Sequence, residues 1–195
     1  MRVAPSRIVL RAGSRRACDA ALLVLKRGGV VVPTDTVYGI AGDALRPMVI
    51  RKIRQLKGHR ARKPFPWLVA DFVMAQRYAQ FSPGARVLAR RVWPGAVTLV
   101  LPRRGARGSL GLRIPAHPWL RKLIAAFGRP VVGTSANRSG LLPAQTARAA
   151  SRMLSDADLI VDGGPCRRMP SQVLDCTTFP PRILRRGERL RKSSL

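Results

Sequence analysis

Short runs of branched apolar residues alternate along this chain with segments in which apolar residues recur every three or four positions. The runs predict buried strands, and the segments with the longer period predict helices that bury one face. We expect helices after Ser14, from Pro47 to Gly58, from Ser82 to Trp93, at 117–128 and at 146–154. We expect strands at 30–32, 66–71, 96–102, 110–115, 130–132, 158–162, 171–176 and 182–186.

This alternation is typical of an α/β fold, and several strands near the C-terminus follow one another without a helix between them. The sequence therefore predicts a single domain with a twisted mixed parallel/antiparallel sheet flanked by helices. A length of 195 residues and a hydrophobic content of 46% fit one folded domain. We expect residues 1–187 to form this domain and residues 188–195 to form a basic tail.

The chain has no segment that resembles a membrane span or a secretory signal. No run approaches the ~18 apolar residues without charge that a span requires, and the N-terminus has only a very short apolar piece between arginines. We therefore expect no membrane partner and a cytoplasmic location.

The composition is strongly basic, with 37 lysine and arginine residues against 9 acidic ones and a formal net charge of +28. This charge favours anionic partners such as nucleotides, phosphates or RNA. The alternative is that the arginine excess is surface composition from an arginine-biased genome. Glu188 is the only glutamate, so chemistry is expected to depend on cations, hydroxyls and backbone amides rather than on paired carboxylates.

Cysteine and histidine are too few and too scattered to predict a metal site built by the protein. Cys18, Cys166 and Cys176 are odd in number and lack C-x-x-C spacing, which is typical of reduced thiols. His59 and His117 are the only histidines. We expect neither a zinc site nor a histidine-rich one.

Two predicted strands end in polar, glycine-containing loops. The sequence PTDTVYG follows Val32, and GTSANRSG follows Val132. Loops of this kind expose hydroxyls and backbone N–H groups that hold phosphate or carboxylate oxygens. Either loop alone is also compatible with an ordinary Asx or Ser/Thr turn. Both in one small domain indicate a shared pocket for a small polar ligand.

Two further stretches carry cations that could serve this pocket. In RKIRQLKGHRARKPF, Arg51 and Arg54 are expected in solvent, whereas 57–63 could lie over a triphosphate or form a solvated face. Arg113 lies in the short apolar strand LRIP and requires an anionic partner if it points inward. That partner is either a ligand or, in a structural ion pair, one of the few aspartates.

Read in order, these pieces resemble the YrdC family of threonylcarbamoyl-AMP synthases. The matching segments, collinear from about residue 15 to 187, are PTDTVYGIAGDA, IRQLKGHRARKPF, VWPGAVTLVL, LGLRIPAHP, GTSANRSG and ILRRG. The resemblance implies a basic concave cavity and an enzyme that makes threonylcarbamoyl-AMP and pyrophosphate from L-threonine, bicarbonate and ATP. The product would serve N6-threonylcarbamoyladenosine formation in tRNA, completed by separate transfer proteins. It also implies tRNA or double-stranded RNA as a partner.

The resemblance assigns roles to individual residues. It implies that Thr34, Thr36 and Arg113 bind threonine and that Lys57, Ser135 and Asn137 are catalytic. The ATP-binding set that it implies is Lys57, Arg60, Ser109, Ser135, Asn137, Ser171 and Arg185. Two positions depart from the family pattern: His59 stands where the family has arginine, so that Arg60 would have to take over, and Gln172 stands where threonine follows serine.

The implied reaction fits the composition. A carbamate oxygen would displace pyrophosphate at the α-phosphorus of ATP, which requires alignment and charge neutralisation rather than a side-chain nucleophile. Mg²⁺ is expected to bind through the ATP phosphates and water. The alternatives are a non-catalytic RNA- or nucleotide-binding module of the same fold and a carbamoyl-handling domain of the hydrogenase-maturation type.

Overall fold

The computed structural model describes residues 8–58, 64–166, 169–178 and 180–187. The helices in these ranges are α1 (Arg15–Leu25), α2 (Pro47–Leu56), α3 (Phe72–Tyr78), α4 (Pro83–Val92), α5 (Pro118–Phe127) and α6 (Ala147–Met153). The strands are β1 (Ile8–Arg11), β2 (Val30–Val32), β3 (Gly39–Ala41), β4 (Trp67–Leu68), β5 (Val97–Pro102), β6 (Ser109–Arg113), β7 (Val131–Val132), β8 (Thr134–Ser135), β9 (Leu159–Asp162), β10 (Gln172–Asp175) and β11 (Arg182–Arg185).

The helices begin where the sequence supplies a cap or a proline. Ser14, Ser82 and Thr146 each accept a hydrogen bond from the backbone N–H three residues further on, in the first turns of α1, α4 and α6. Proline occupies the first turn of α2, α4 and α5, where its missing N–H would have no helical partner anyway. These local signals explain why the predicted helix starts are confirmed.

The mixed α/β architecture is confirmed, but its strands form two sheets where the sequence predicted one. The five-stranded sheet has the order β1-β9-β2-β3-β8, and the six-stranded sheet has the order β11-β10-β5-β6-β4-β7. Both sheets contain parallel and antiparallel pairs. The chain passes from one sheet to the other between β7 and β8, because β7 pairs with β4 whereas β8 pairs with β3.

Gly133 makes this passage possible. Its backbone N–H donates to the carbonyl of Pro66 at 2.8 Å, so it lies directly against the β4 region. A Cβ atom at this position would lie 2.5 Å from Cγ of Leu68, closer than carbon atoms approach in folded proteins. The glycine therefore lets the two sheets approach each other at the start of the SAN loop, residues 135–143.

Four elements are absent from the sequence-based prediction: β1, β3, α3 and β8. Each is short, between two and seven residues, and its apolar pattern is too brief to distinguish strand, helix and loop. The three strands among them depend on pairing with other parts of the chain, whereas α3 begins at Asp71, whose side chain accepts from the backbone N–H of Met74. β1 pairs with β9, for example, about 150 residues later, and β3 pairs with β2 and β8.

A continuous apolar core fills the space between the sheets and their helices. It includes Leu25, Ile40, Ile53, Leu99 and Leu112, all of which are fully buried. Within the described ranges, no helix has the length and apolar character needed to cross a membrane.

Candidate active site

A cavity of about 230 Å³ lies between the two sheets. The five-stranded sheet contributes the ends of β2, β3 and β8, and the six-stranded sheet contributes β4, the end of β6 and the segment before β10. The serine, threonine and arginine residues that line it are Thr34, Thr36, Arg113, Thr134, Ser135, Ser171 and Arg185. The two polar loops singled out in the sequence thus converge on one cavity, as predicted.

The cavity also concentrates the polar groups that the fold buries. Among the described residues, the buried polar or charged ones are Thr34, Thr36, Asp43, Lys57, Thr98, Arg113, Asn137 and Ser171. All except Asp43 line the cavity or hydrogen-bond directly to a residue that does. Burying a polar group is unfavourable unless it is paired, so this concentration marks a site rather than random composition.

The two threonines and Arg113 form one directed chain of hydrogen bonds. Thr34 Oγ1 donates its single proton to the carbonyl of Val37 at 2.7 Å. The contact of 2.9 Å between the two threonine hydroxyls must therefore be donated by Thr36. Thr36 in turn accepts from Arg113 Nη1 at 3.2 Å. Thr34 Oγ1 also accepts from the backbone N–H of Thr36 at 3.0 Å, which occupies its second lone pair. Neither hydroxyl therefore has a free proton, and only Thr36 has a lone pair left to accept from a ligand.

Arg113 is held by an ion pair and remains able to bind an anion. Its Nη2 lies 2.6 Å from Oδ1 of Asp35, and the two side chains are only 7% and 13% exposed. Its Nε donates to the carbonyl of Gly95 at 2.8 Å. With the contact to Thr36, three of the five guanidinium N–H groups are engaged and two remain. The structural ion pair that the sequence analysis considered is present, and Arg113 also lines the cavity.

Lys57 directs all its donors into the SAN loop. This residue is buried at the C-terminal cap of α2. Its Nζ lies 2.7 Å from the Ser135 carbonyl, 3.0 Å from the Asn137 carbonyl and 3.2 Å from Asn137 Oδ1. Burial lowers the pKa of this ammonium to about 8. A solvated position for Lys57 is excluded, whereas Arg51 and Arg54 are exposed as expected.

The Ser135 hydroxyl presents lone pairs, not a proton, to the cavity. Because a lysine ammonium can only donate, the Asn137 side-chain atom that faces Lys57 must be the oxygen. Ser135 Oγ donates to that same oxygen at 2.6 Å, and Asn137 Nδ2 donates to the carbonyl of Leu141. A partner of Ser135 in the cavity must therefore be a donor or a cation.

Ser171 and Arg185 form the opposite side of the cavity. Arg185 donates from Nη2 to the carbonyl and the hydroxyl of Ser171 at 2.8 and 3.1 Å. The Ser171 hydroxyl lies 3.0 Å from that of Thr98, a fully buried residue of β5. Arg185 is an exposed residue overall, but its guanidinium lies against Ser171. Burial of that group and repulsion from Arg113 lower its pKa. Two guanidiniums on one cavity favour an anionic occupant.

Of the predicted ATP-binding residues that the structure describes, Ser109 does not line the cavity. Ser109 is exposed at the opposite end of β6 from Arg113, about 13 Å away at the usual rise of a strand. Arg60 lies outside the described residues, as does His59 at the position that departs from the family pattern.

Asp35 and Thr98 hold the site together, and the sequence analysis did not single them out. Asp35 lies inside the PTDT segment, between two residues that were singled out. Because the chain has only nine acidic residues, an aspartate between two candidate ligand-binding residues could have been recognised as the ion-pair partner of a buried arginine. Thr98 is the one hydroxyl within the apolar run AVTLVLP. A lone hydroxyl in a buried strand requires a hydrogen-bond partner. This requirement could have identified Thr98 from the sequence.

Comparison with known proteins identifies the family. The family model Sua5_yciO_yrdC, described as "Telomere recombination", matches residues 23–187. A threonylcarbamoyl-AMP synthase of Nitrosococcus oceani is 37% identical over 180 residues, which cover 86% of this chain and 93% of that protein. One of Pyrococcus abyssi is 36% identical over 169 residues, which cover 81% of this chain and 50% of that protein. This chain thus spans about half the length of the Pyrococcus protein.

Solved structures support the same assignment. The crystal structure of Pyrococcus abyssi Sua5 in complex with L-threonine superposes with a TM-score of 0.84 at 33% identity, covering 92% of this chain and 57% of that one. The structure of Escherichia coli YciO has the same TM-score at 23% identity and covers 98% of that chain, which shows the shared fold. A domain of HypF shares the fold at a TM-score of 0.75 and covers 28% of that protein. The chain belongs to the Sua5/YciO/YrdC family.

Proposed function

We propose that this chain is a threonylcarbamoyl-AMP synthase, a nucleotidyltransferase that uses L-threonine, bicarbonate and ATP. The observation that carries the proposal is the convergence of Arg113, Arg185 and the SAN loop on one cavity between the sheets. The curated relatives that share most of this chain bear the same name. Transfer of the product to tRNA would be the task of separate proteins.

The threonine end of the cavity would be the wall formed by Thr34, Thr36 and Arg113. The two guanidinium N–H groups of Arg113 that remain free suit a carboxylate, which accepts from neighbouring nitrogens. A relative of 33% identity was solved in complex with L-threonine, which supports threonine as the ligand.

The nucleotide end would be formed by the SAN loop together with Ser171 and Arg185. Lys57 fixes the SAN loop through three hydrogen bonds and adds a positive charge beneath it. Arg185 faces the same cavity and would neutralise phosphate oxygens. Lys57 would thus act on the phosphates through its charge and through the shape of the loop.

Magnesium would accompany the triphosphate. The described residues contain no cluster of three or more His, Cys, Asp or Glu residues that could hold a metal ion. Ser135 Oγ fits such an ion, because its lone pairs face the cavity while its proton is directed to Asn137. The ion would supply charge neutralisation on the phosphate oxygens.

The chemistry requires orientation more than reactive side chains. The amine of threonine adds to bicarbonate with loss of water and gives a carbamate. A carbamate oxygen then forms a bond to the α-phosphorus of ATP as the bond from that phosphorus to the pyrophosphate oxygen breaks. Holding the carbamate by its carboxylate on Arg113 and the phosphates between the SAN loop and Arg185 would align the two reactants.

The test is pyrophosphate release from the purified protein with each of the three substrates omitted in turn. We expect release only when threonine, bicarbonate and ATP are all present, with a product of the mass of threonylcarbamoyl-AMP. Nucleotide binding without pyrophosphate release would support the non-catalytic module instead. Release that does not depend on bicarbonate would contradict the proposed reaction.

A further inference from the structure

One long part of the chain carries only positive charge. From Phe72 to Ser155 the sequence contains fourteen arginine or lysine residues and no aspartate or glutamate. Only two of these cations, Arg113 and Arg129, form an ion pair among the described residues, in each case with an aspartate from before position 72. The remainder of this positive charge is not neutralised within the described structure.

Five of these arginines surround helix α3. We call this group the α3–turn surface and define it by Arg77 on α3, Arg86 on α4, and three residues at the turn between β5 and β6, namely Arg103, Arg104 and Arg107. The turn lies against α3, because the backbone N–H of Arg104 donates to the carbonyl of Tyr78 and Ala79 forms a bridge with Arg103. Arg77, Arg104 and Arg107 are exposed.

Three of the guanidinium groups are held in place without losing their charge. Arg103 lies over the ring of Trp67 at 5.5 Å from its centre, and Arg86 lies over Phe72 at 5.9 Å. Arg104 donates from Nε to the carbonyl of Gln76 at 2.8 Å, which leaves its four terminal N–H groups available. Aromatic rings and carbonyl oxygens orient a guanidinium but do not neutralise it.

The α3–turn surface is separate from the cavity. Trp67 and Leu68 are successive residues of β4, so their side chains point to opposite faces of the sheet. Leu68 lines the cavity, whereas Trp67 packs against Tyr78 of α3 and carries Arg103. The turn also lies at the end of β6 that is distant from Arg113. An anion on this surface would leave the cavity open.

We propose that the α3–turn surface binds the phosphate backbone of a nucleic acid. The phosphates of a single nucleotide occupy one small volume, whereas a backbone of regularly spaced charges can engage guanidiniums that are spread over α3, α4 and the turn. Planar guanidinium groups with free terminal N–H groups suit phosphate oxygens. The proposal is independent of the reaction in the cavity and assigns the expected RNA contact to a particular face.

The test measures binding of a short labelled RNA duplex as a function of salt. The surface variant replaces Arg77, Arg103 and Arg104 by glutamine. The control variant replaces Arg16, Arg27 and Arg152, exposed residues associated with α1 and α6, by glutamine. Each lost phosphate contact should lower the slope of log affinity against log salt by about one. We therefore expect the surface variant to lose about three units of slope and more than about tenfold in affinity, and the control to lose little.

Two further measurements distinguish a loss of RNA binding from a loss of folding or of activity. A milder variant, Arg77→Gln with Arg107→Gln, changes two exposed side chains and should lose about two units of slope with unchanged thermal unfolding. Pyrophosphate release should be unchanged in all these variants, which separates this proposal from the proposed reaction. Equal losses of RNA affinity in the surface and control variants would overturn the proposal, because binding would then depend on the net charge of the protein and not on this surface. Binding to anionic lipid vesicles without binding to the duplex would overturn it too.

Discussion

The arginine in the cavity and the arginines around α3 carry the same charge in opposite surroundings. Arg113 is 7% exposed, is paired with Asp35 and has three of its N–H groups engaged by the protein. Arg77, Arg104 and Arg107 are exposed and have no ion pair among the described residues. The comparison indicates that the cavity suits small anions held in a fixed orientation, whereas the outer surface suits a long anion that can bind in more than one position.

The largest effect is expected from Arg113→Ala. Alanine removes the two free N–H groups that are proposed to bind the threonine carboxylate, and a hydrogen bond to a charged group contributes about 1.5–3 kcal/mol. We expect kcat/KM for threonine to fall at least about 30-fold. Steady-state pyrophosphate release checks this, with Arg152→Gln as the exposed control. A loss of less than threefold would remove Arg113 from threonine binding.

Lys57→Met should have the next largest effect. The change leaves the Ser135 and Asn137 carbonyls and Asn137 Oδ1 without their common donor, so the SAN loop loses its anchor. We expect pyrophosphate release to fall about tenfold or more. The control is Lys122→Met, which removes an exposed lysine. Equal rates in the two variants would show that Lys57 is not needed for the shape of the loop.

The same variant provides a test by pH. In the folded protein Lys57 has a pKa of about 8, below the value near 10.4 of an unfolded lysine. Between these values the unfolded chain binds more protons than the folded one, so the free energy of unfolding should rise with pH. In denaturation experiments from pH 7 to 10, the free energy of unfolding of wild type should therefore rise relative to that of Lys57→Met. Parallel curves would contradict the burial of a charged lysine.

Asp35→Asn should have a smaller and more selective effect. Asparagine keeps an oxygen that accepts from Arg113 Nη2 but removes the negative charge that holds the guanidinium in place. We expect KM for threonine to rise about three- to tenfold while kcat changes less than about twofold. Asp35→Glu should recover part of the loss. A fall in kcat at constant KM would show that Asp35 acts on the reaction rather than on the position of Arg113.

The smallest effect on catalysis is expected from the outer surface. Arg77→Gln combined with Arg107→Gln removes two exposed charges that have no contact with the cavity. We expect pyrophosphate release at physiological salt to change less than about twofold, as is usual for surface substitutions. A loss comparable to that of Arg113→Ala would mean that the two regions are not independent.

Local patterns were enough to predict five of the six described helices and the two polar loops, because caps, prolines and apolar periods lie within a few residues of one another. The burial of Lys57 could not be predicted in this way, because its three acceptors lie in the SAN loop, about 80 residues away. The same applies to the division into two sheets, since β1 and β9 pair across most of the chain. Ser109 lies at the other end of β6 from Arg113, and its assignment to ATP stays a prediction of the resemblance.

The most direct measurement compares the affinities of L-threonine and L-threonine methyl ester for wild type and Arg113→Gln by calorimetry. The ester lacks the negative charge that Arg113 is proposed to bind and leaves the rest of the ligand in place. We predict that wild type prefers threonine by more than about tenfold and that the ratio falls to near one in Arg113→Gln. An unchanged preference in the variant would contradict the claim that the cavity binds the amino acid through this guanidinium.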